Sequence, residues 1–195
     1  MAPMIEDQVR EAEADAAIEL RVDEISQLFD TLDPFPFRER DLDEDAEAYF
    51  VGWARELPKD RPIRIIVHIP IAEATTENAL ELGTALKHYF DYRAGAVVLD
   101  LNELFRIGRR SIAIGMCALA VCIAIGRMIA GQLGAGYLAR FVEEGLIILG
   151  WVANWKPIEI FLYDWWPLVR QRNLYRRLAA ATVELRPYPP KATHS

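Results

Sequence analysis

Two apolar segments, each flanked by arginines on one side only, constrain this chain more than anything else in it. The first runs from Ser111 to Gly134 and the second from Tyr137 to Trp166. Arg106, Arg109 and Arg110 precede the first; Arg170, Arg172, Arg176 and Arg177 follow the second. The turn between them carries Arg140, offset by Glu143 and Glu144. A helix of about 20 apolar residues spans the hydrocarbon core of a bilayer. Lys and Arg collect on the cytoplasmic side. The pattern predicts a two-pass transmembrane hairpin with both chain ends cytoplasmic.

Of 195 residues, such a hairpin leaves one soluble domain of roughly 100 residues. The net charge is -7, with the acids concentrated before residue 60. That excludes general nucleic-acid binding, which needs clustered basic surface. The arginines beside the apolar segments suit anionic headgroups, so membrane lipids are expected partners. Cys117 and Cys122 both fall in the first segment. Five residues turn a helix through about 500°, so the two thiols face different ways and read as small apolar residues. The first 60 residues show no apolar core with a cleavage site, so no secretory signal is expected.

The soluble part predicts a small sheet with covering helices, an α+β arrangement. Residues 1–17 form an acidic, Ala-rich arm. Ile18 to Val22, Ile63 to Ile69 and Val183 to Arg186 alternate apolar and charged residues, the period of strands with one wet face. Asp23 is placed to cap a short helix through Phe29. Asp33-Pro34-Phe35-Pro36-Phe37 is extended, with both Phe expected inside. A helix is expected over Asp41 to Leu57, with Phe50, Trp53 and Ala54 as its apolar face. Another starts near Glu73 and carries Ala79, Leu82, Leu86, Tyr89 and Phe90 at helical period. It runs on into the membrane segment unless Gly95 breaks it and Ala96 to Leu101 is a strand. The expected order is arm 1–17, cytoplasmic domain 18–105, hairpin 106–167 with an interfacial aromatic segment, return helix and strand 168–187, and tail 188–195.

Within the first apolar segment Ala118, Cys122, Gly126, Ala130 and Gly134 recur every four residues. Small residues let helices approach closely in lipid, so this stripe predicts a packing face. Its partner is either the second segment or another copy of the chain. The second segment is interrupted by Lys156-Pro157. Either it spans about 137–156, with 157–167 in the interface, or about 145–165, with Lys156 at mid-depth. Pro157 fits the first turn of a new helix. Trp155, Tyr163, Trp165 and Trp166 compose an interfacial aromatic belt. Arg127, Glu143, Glu144, Lys156 and Glu159 are the intramembrane or interfacial charges. Lys156 and Glu159 stand one turn apart and are expected to pair.

Chemistry is sparse. Asp41-x-Asp43-x-Asp45 opens like a calcium loop, but Ala46 and Gly52 stand where Gly and Glu are required. His68, His88 and His194 are scattered, and no nucleophile, phosphate-loop or metal motif accompanies them. No catalytic, cofactor-binding or metal-binding residues are assigned, and no cofactor is expected.

From Phe105-Arg106-Ile107-Gly108-Arg109-Arg110-Ser111 through Gly145-Leu146-Ile147-Ile148-Leu149-Gly150-Trp151 to Tyr163-Asp164-Trp165-Trp166-Pro167, the chain resembles a family of uncharacterised bacterial two-span membrane proteins with no assigned activity. The resemblance includes Arg40-Asp41-Leu42-Asp43. It implies topology and bacterial origin, and no site residues. The expected function is a membrane-anchored adaptor or accessory subunit with a protein partner or self-association. The alternative is a component of an oligomeric transporter, or a membrane-bound enzyme, using the intramembrane charges.

Overall fold

The computed structural model describes residues 17–133 and 136–189. The acidic arm up to residue 16, Gly134 and the tail from residue 190 lie outside the described residues. The protein is mostly helical, with one three-stranded sheet and two helices long and apolar enough to cross a membrane. It divides into a sheet domain, the chain up to Ala96 together with that from Gln171, and a hairpin unit, Val97–Arg170.

The strands are β1 (Ala17–Arg21), β2 (Arg64–Pro70) and β3 (Thr182–Tyr188), in the order β1-β2-β3. Both pairings are parallel, a direction that alternation alone leaves open. Ile18, Ile65 and Val183 lie in register, as do Leu20, Val67 and Leu185. They form the apolar face, where Ile18, Ile65, Val67 and Ile69 are fully buried. Val183 and Leu185, on the edge strand, are half-buried. The opposite face is charged. There His68 Nε2 lies 3.5 Å from Glu19 Oε2, and Arg64 Nη1 4.0 Å from Glu184 Oε1. Parallel sheets are usually covered on both faces. Here Ile66, buried on the charged face, is flanked in register by Glu19 and Glu184. Tyr188 ties the far edge: its ring lies 3.9 Å under the Arg21 guanidinium and its hydroxyl donates to Asp23 Oδ1 at 2.8 Å.

Parallel strands need long crossovers, and the sequence supplies two. The first contains α1 (Glu44–Glu56). Asp43 caps it by accepting the Asp45 N–H at 3.0 Å, and Glu44, Asp45 and Glu47 lie in its first turn, where the helix dipole favours them. Phe50 and Ala54 face the core. Trp53, expected beside them, is 47% exposed. Ahead of it, Ile25–Leu28 is a 3₁₀ turn with Glu24 at its cap, in place of the helix expected behind Asp23. Four residues offer too few backbone bonds to sustain α geometry.

The second crossover begins after a 3₁₀ turn at Glu73–Thr75. The Thr76 hydroxyl accepts the Ala79 N–H at 3.3 Å as α2 (Glu77–Leu133) starts. This helix runs 57 residues without a break. Gly95 does not interrupt it, and residues 96–101 are helical. No proline occurs in its length, so no N–H is missing from its ladder. Beyond it come α3 (Tyr137–Val152), α4 (Trp155–Glu159), a π-helical turn at Ile160–Asp164 and α5 (Trp165–Ala179).

In the sheet domain the buried Ala79, Leu82, Leu86 and Phe90 of α2 follow the expected helical stripe. A Cβ added at Gly83 would lie 3.6 Å from Val183 Cβ, which places this stripe on the sheet. Phe90 packs edge-on against Phe50 at 6.0 Å and stacks on Tyr175 of α5 at 6.2 Å.

Candidate functional site

Within the hairpin unit, glycines set the helix contacts. Gly126 is buried, and a Cβ there would meet the Glu143 Cα at 3.4 Å. Ala118 and Cys122, from the same four-residue stripe, are half-buried. Ala130 is helical, and nothing is placed for its side chain; Gly134 lies outside the described residues. The second segment is thus the neighbour of this face at Gly126. Three closer approaches lie off the stripe. A Cβ on Gly108 would come 3.0 Å from Phe161, one on Gly115 would come 2.5 Å from Asn154 Oδ1, and one on Gly150 would come 2.6 Å from Leu119. Asn154 is buried and donates its amide to the Gly115 carbonyl at 3.1 Å and the Gly150 carbonyl at 3.0 Å. It links α2 to the end of α3, where the helix is interrupted at Ala153–Asn154. A lone amide in an apolar stretch was the available signal for it.

Arg127 and Glu144 are exposed, and Glu143 is half-buried. Lys156 Nζ pairs with Glu159 Oε2 at 3.2 Å and lies 3.6 Å from Asp164 Oδ2. Trp155, Tyr163 and Trp166 are exposed. Trp165 is half-buried, and its indole N–H donates to the Phe161 carbonyl at 3.0 Å. The wide π turn shifts backbone partners by one residue, and the indole serves a carbonyl inside it. Pro157 lies in the first turn of α4, where the helix leaves its N–H groups without intrahelical partners and proline costs nothing. Among the described residues, no cluster of His, Cys, Asp and Glu is arranged to hold a metal ion. Cys117 and Cys122 are free.

The sheet domain contains two polar arrangements that periodicity did not reveal. In the first, Glu47 of α1 accepts hydrogen bonds from Tyr89 Oη and Tyr175 Oη, both at 2.8 Å, and from Arg93 Nε at 3.0 Å. Arg93 also donates to Tyr175 Oη at 3.3 Å. Burial alone would raise the Glu47 carboxyl; the hydrogen bonds from Tyr175 and Tyr89 and the charge of Arg93 outweigh it and hold the group below the usual range. Burial, reinforced by Glu47, pushes the Tyr89 phenol well up. The cluster joins α1, α2 and α5 across 128 residues of sequence. On the same returning helix, Arg177 donates to the carbonyls of Pro58 and Arg61.

The second arrangement is a cleft of about 480 Å³ between the loop 30–41 and α2. The loop is closed by backbone bonds, Asp30 N–H to Asp41 O at 2.9 Å and Asp43 N–H to Leu28 O at 3.0 Å. Asp33 accepts the Phe35 N–H at 3.0 Å on one oxygen and the Asp41 N–H at 2.8 Å on the other. Those two bonds hold its carboxyl below the ordinary value. The Arg38–Glu81 pair at 2.6 Å fastens the loop to α2. Both Phe of the Pro-rich stretch were expected inside. Phe37 is half-buried against Phe29, ring centroids 4.6 Å apart, but Phe35 is 58% exposed at the cleft. The chain bends at Phe35, between Pro34 and Pro36. Tyr89 and Tyr92 of α2 form the facing wall, beside His88.

No family model, curated protein or solved structure matches the chain.

Proposed function

We propose that this protein is a membrane-anchored adaptor or accessory subunit that presents its sheet domain to a partner in the cytoplasm of a bacterium. The observation that carries the reading is the discontinuity of the domain. Its sheet takes β1 and β2 from before the hairpin and β3 from after it. A domain fed from both ends of a hairpin is tethered twice to one anchor. Large apolar side chains point outward from the hairpin, among them Ile114, Met128, Phe141 and Ile148. Exposed apolar surface of that extent suits lipid. The one-sided arginines support an inner-membrane location with both ends cytoplasmic, and the resemblance to two-span bacterial proteins agrees with it. The alternative, transport or catalysis through the membrane charges, is less well supported. Lys156, Glu159 and Asp164 are satisfied by one another.

The test is purification of the intact chain in mild detergent after cross-linking in cells, followed by mass spectrometry. The expected result is a recurrent protein partner, cross-linked through the sheet domain. Recovery of the chain alone, or only as copies joined through the hairpin, contradicts the adaptor reading.

A further inference from the structure

We propose that the cleft between loop 30–41 and α2 receives a basic peptide segment of the partner, an arginine or lysine side chain together with its backbone. This rests on the adaptor reading. Three grounds define the ligand. The first is charge. Asp30, Glu39 and Asp41 line the cleft with Asp33, against Arg40 and His88. Asp33 is committed to the loop backbone through both oxygens, and Arg40 reaches the Phe35 carbonyl at 3.5 Å and carries the charge beside Asp33. The remaining carboxylates leave the cleft negative, which favours a cation and disfavours a phosphate or carboxylate ligand.

The second observation is the wall. Phe35 is 58% exposed and Tyr92 65% exposed, although both belong to a domain with a well-filled core. Ring faces beside carboxylates form the usual surroundings of a bound guanidinium or ammonium group. Leu32, 89% exposed, extends the apolar rim for the aliphatic stem of such a side chain. The third ground is the adaptor reading itself: its partner is a protein, so the cation is carried on a peptide and not as a free polyamine.

The test uses the full chain in phosphatidylcholine nanodiscs, whose zwitterionic lipid does not attract a basic probe. The probe is a fluorescein-labelled acetyl-Gly-Ser-Arg-Gly-Arg-Ser-Gly-amide, followed by anisotropy. Saturable binding that weakens with salt is expected. A rim charge contributes up to about fivefold in affinity, so Asp41→Asn combined with Glu39→Gln should weaken binding about tenfold. Tyr92→Ala should weaken it about threefold. Each variant should keep the thermal midpoint of the parent, because these side chains lie on the surface. The same peptide with Glu in place of Arg should not bind, and spermidine should compete only weakly. Equal binding by parent and double variant, no binding by either, or preference for the Glu peptide overturns the proposal. Spermidine competing as well as the Arg peptide overturns its peptide part. A cellular partner cross-linked equally to the parent and the double variant would leave the adaptor reading standing and remove the cleft. Peptide binding with no cellular partner would do the reverse.

Discussion

The sheet domain and the hairpin unit solve the same problem, holding helices together, by opposite means. In the domain the contacts are made by large side chains: Phe50, Phe90, Leu82, Leu86 and Ile65 are all essentially inaccessible. Water drives that burial, worth about 1.5–3 kcal/mol for each large apolar side chain. In the hairpin the large residues face outward and the contacts fall at Gly108, Gly115, Gly126 and Gly150. On the proposed reading the hairpin lies in lipid, where outward leucines lose nothing and close backbone approach supplies the attraction. Side-chain size thus has opposite meaning in the two regions: bulk stabilises one interface and prevents the other.

The largest expected effect breaks the domain side of this contrast. Deleting residues 182–195 removes β3, the half-buried Val183 and Leu185, and the Tyr188 tie to Asp23. The sheet domain should lose its protease resistance, while the hairpin stays resistant in detergent. Unchanged resistance of the domain would show that β3 is not part of its cooperative unit.

Next comes the hairpin side. Gly150→Leu drives a side chain into Leu119, whose Cα already lies 3.0 Å from the added Cβ. A Cβ on Gly145 meets nothing within 4 Å. Gly150→Leu should lower the detergent melting midpoint strongly, by the equivalent of about 1–3 kcal/mol, and Gly145→Leu little. Gly126→Leu should fall near Gly150→Leu, because Gly126 faces the Glu143 backbone. Equal effects at positions 145 and 150 would remove the close-packing explanation.

A smaller effect probes the polar join in the domain. Tyr175→Phe deletes a hydroxyl that bonds Glu47 and Arg93 and should cost about 1–2 kcal/mol in thermal unfolding. The Glu47 carboxyl is lowered in the folded state, so its contribution is present above its ordinary value of 4.5 and is lost as pH falls through the folded value. Stability should therefore drop on acidification below that range, and Glu47→Gln should flatten the drop. An identical acid slope in the variant would show that the cluster does not couple to protons.

The smallest effect reverses sign. Gly95 sits in helix with open space around its Cβ position. Gly95→Ala should stabilise by about 0.5–1 kcal/mol, whereas Gly150→Ala should destabilise. Calorimetry on the two variants reads the contrast between the regions from one chemical change.

The sequence revealed what depends on period and lost what depends on partners far along the chain. The alternation at Ile18, Ile65 and Val183 located all three strands, and the two apolar runs located the paired helices. Strand direction was not legible, because inward and outward positions alternate identically in parallel and antiparallel pairs. Glu47, Tyr89, Arg93 and Tyr175 read separately as helix-surface and helix-core residues; only the fold brings position 47 to position 175. The small-residue stripe from Ala118 to Gly134 rested on a four-residue repeat. The closest approaches at Gly108, Gly115 and Gly150 follow the local course of the second segment, whose helix is interrupted at Ala153–Asn154 and widens at Ile160–Asp164. Phe35 is expected inside because it is aromatic, yet it lies exposed at the cleft.

The measurement that tests the central claim most directly is sided cysteine labelling. With Cys117 and Cys122 replaced by Ala, single cysteines are introduced as Gln27→Cys, Gln132→Cys and Pro189→Cys, all at exposed positions. A membrane-impermeant maleimide is then applied to intact bacterial spheroplasts and to inverted vesicles. The predicted result is that Gln132→Cys labels in spheroplasts, while Gln27→Cys and Pro189→Cys label only in inverted vesicles. Labelling of Gln27→Cys and Pro189→Cys from opposite sides, or of all three from the same side, would contradict a hairpin that returns the chain to one domain.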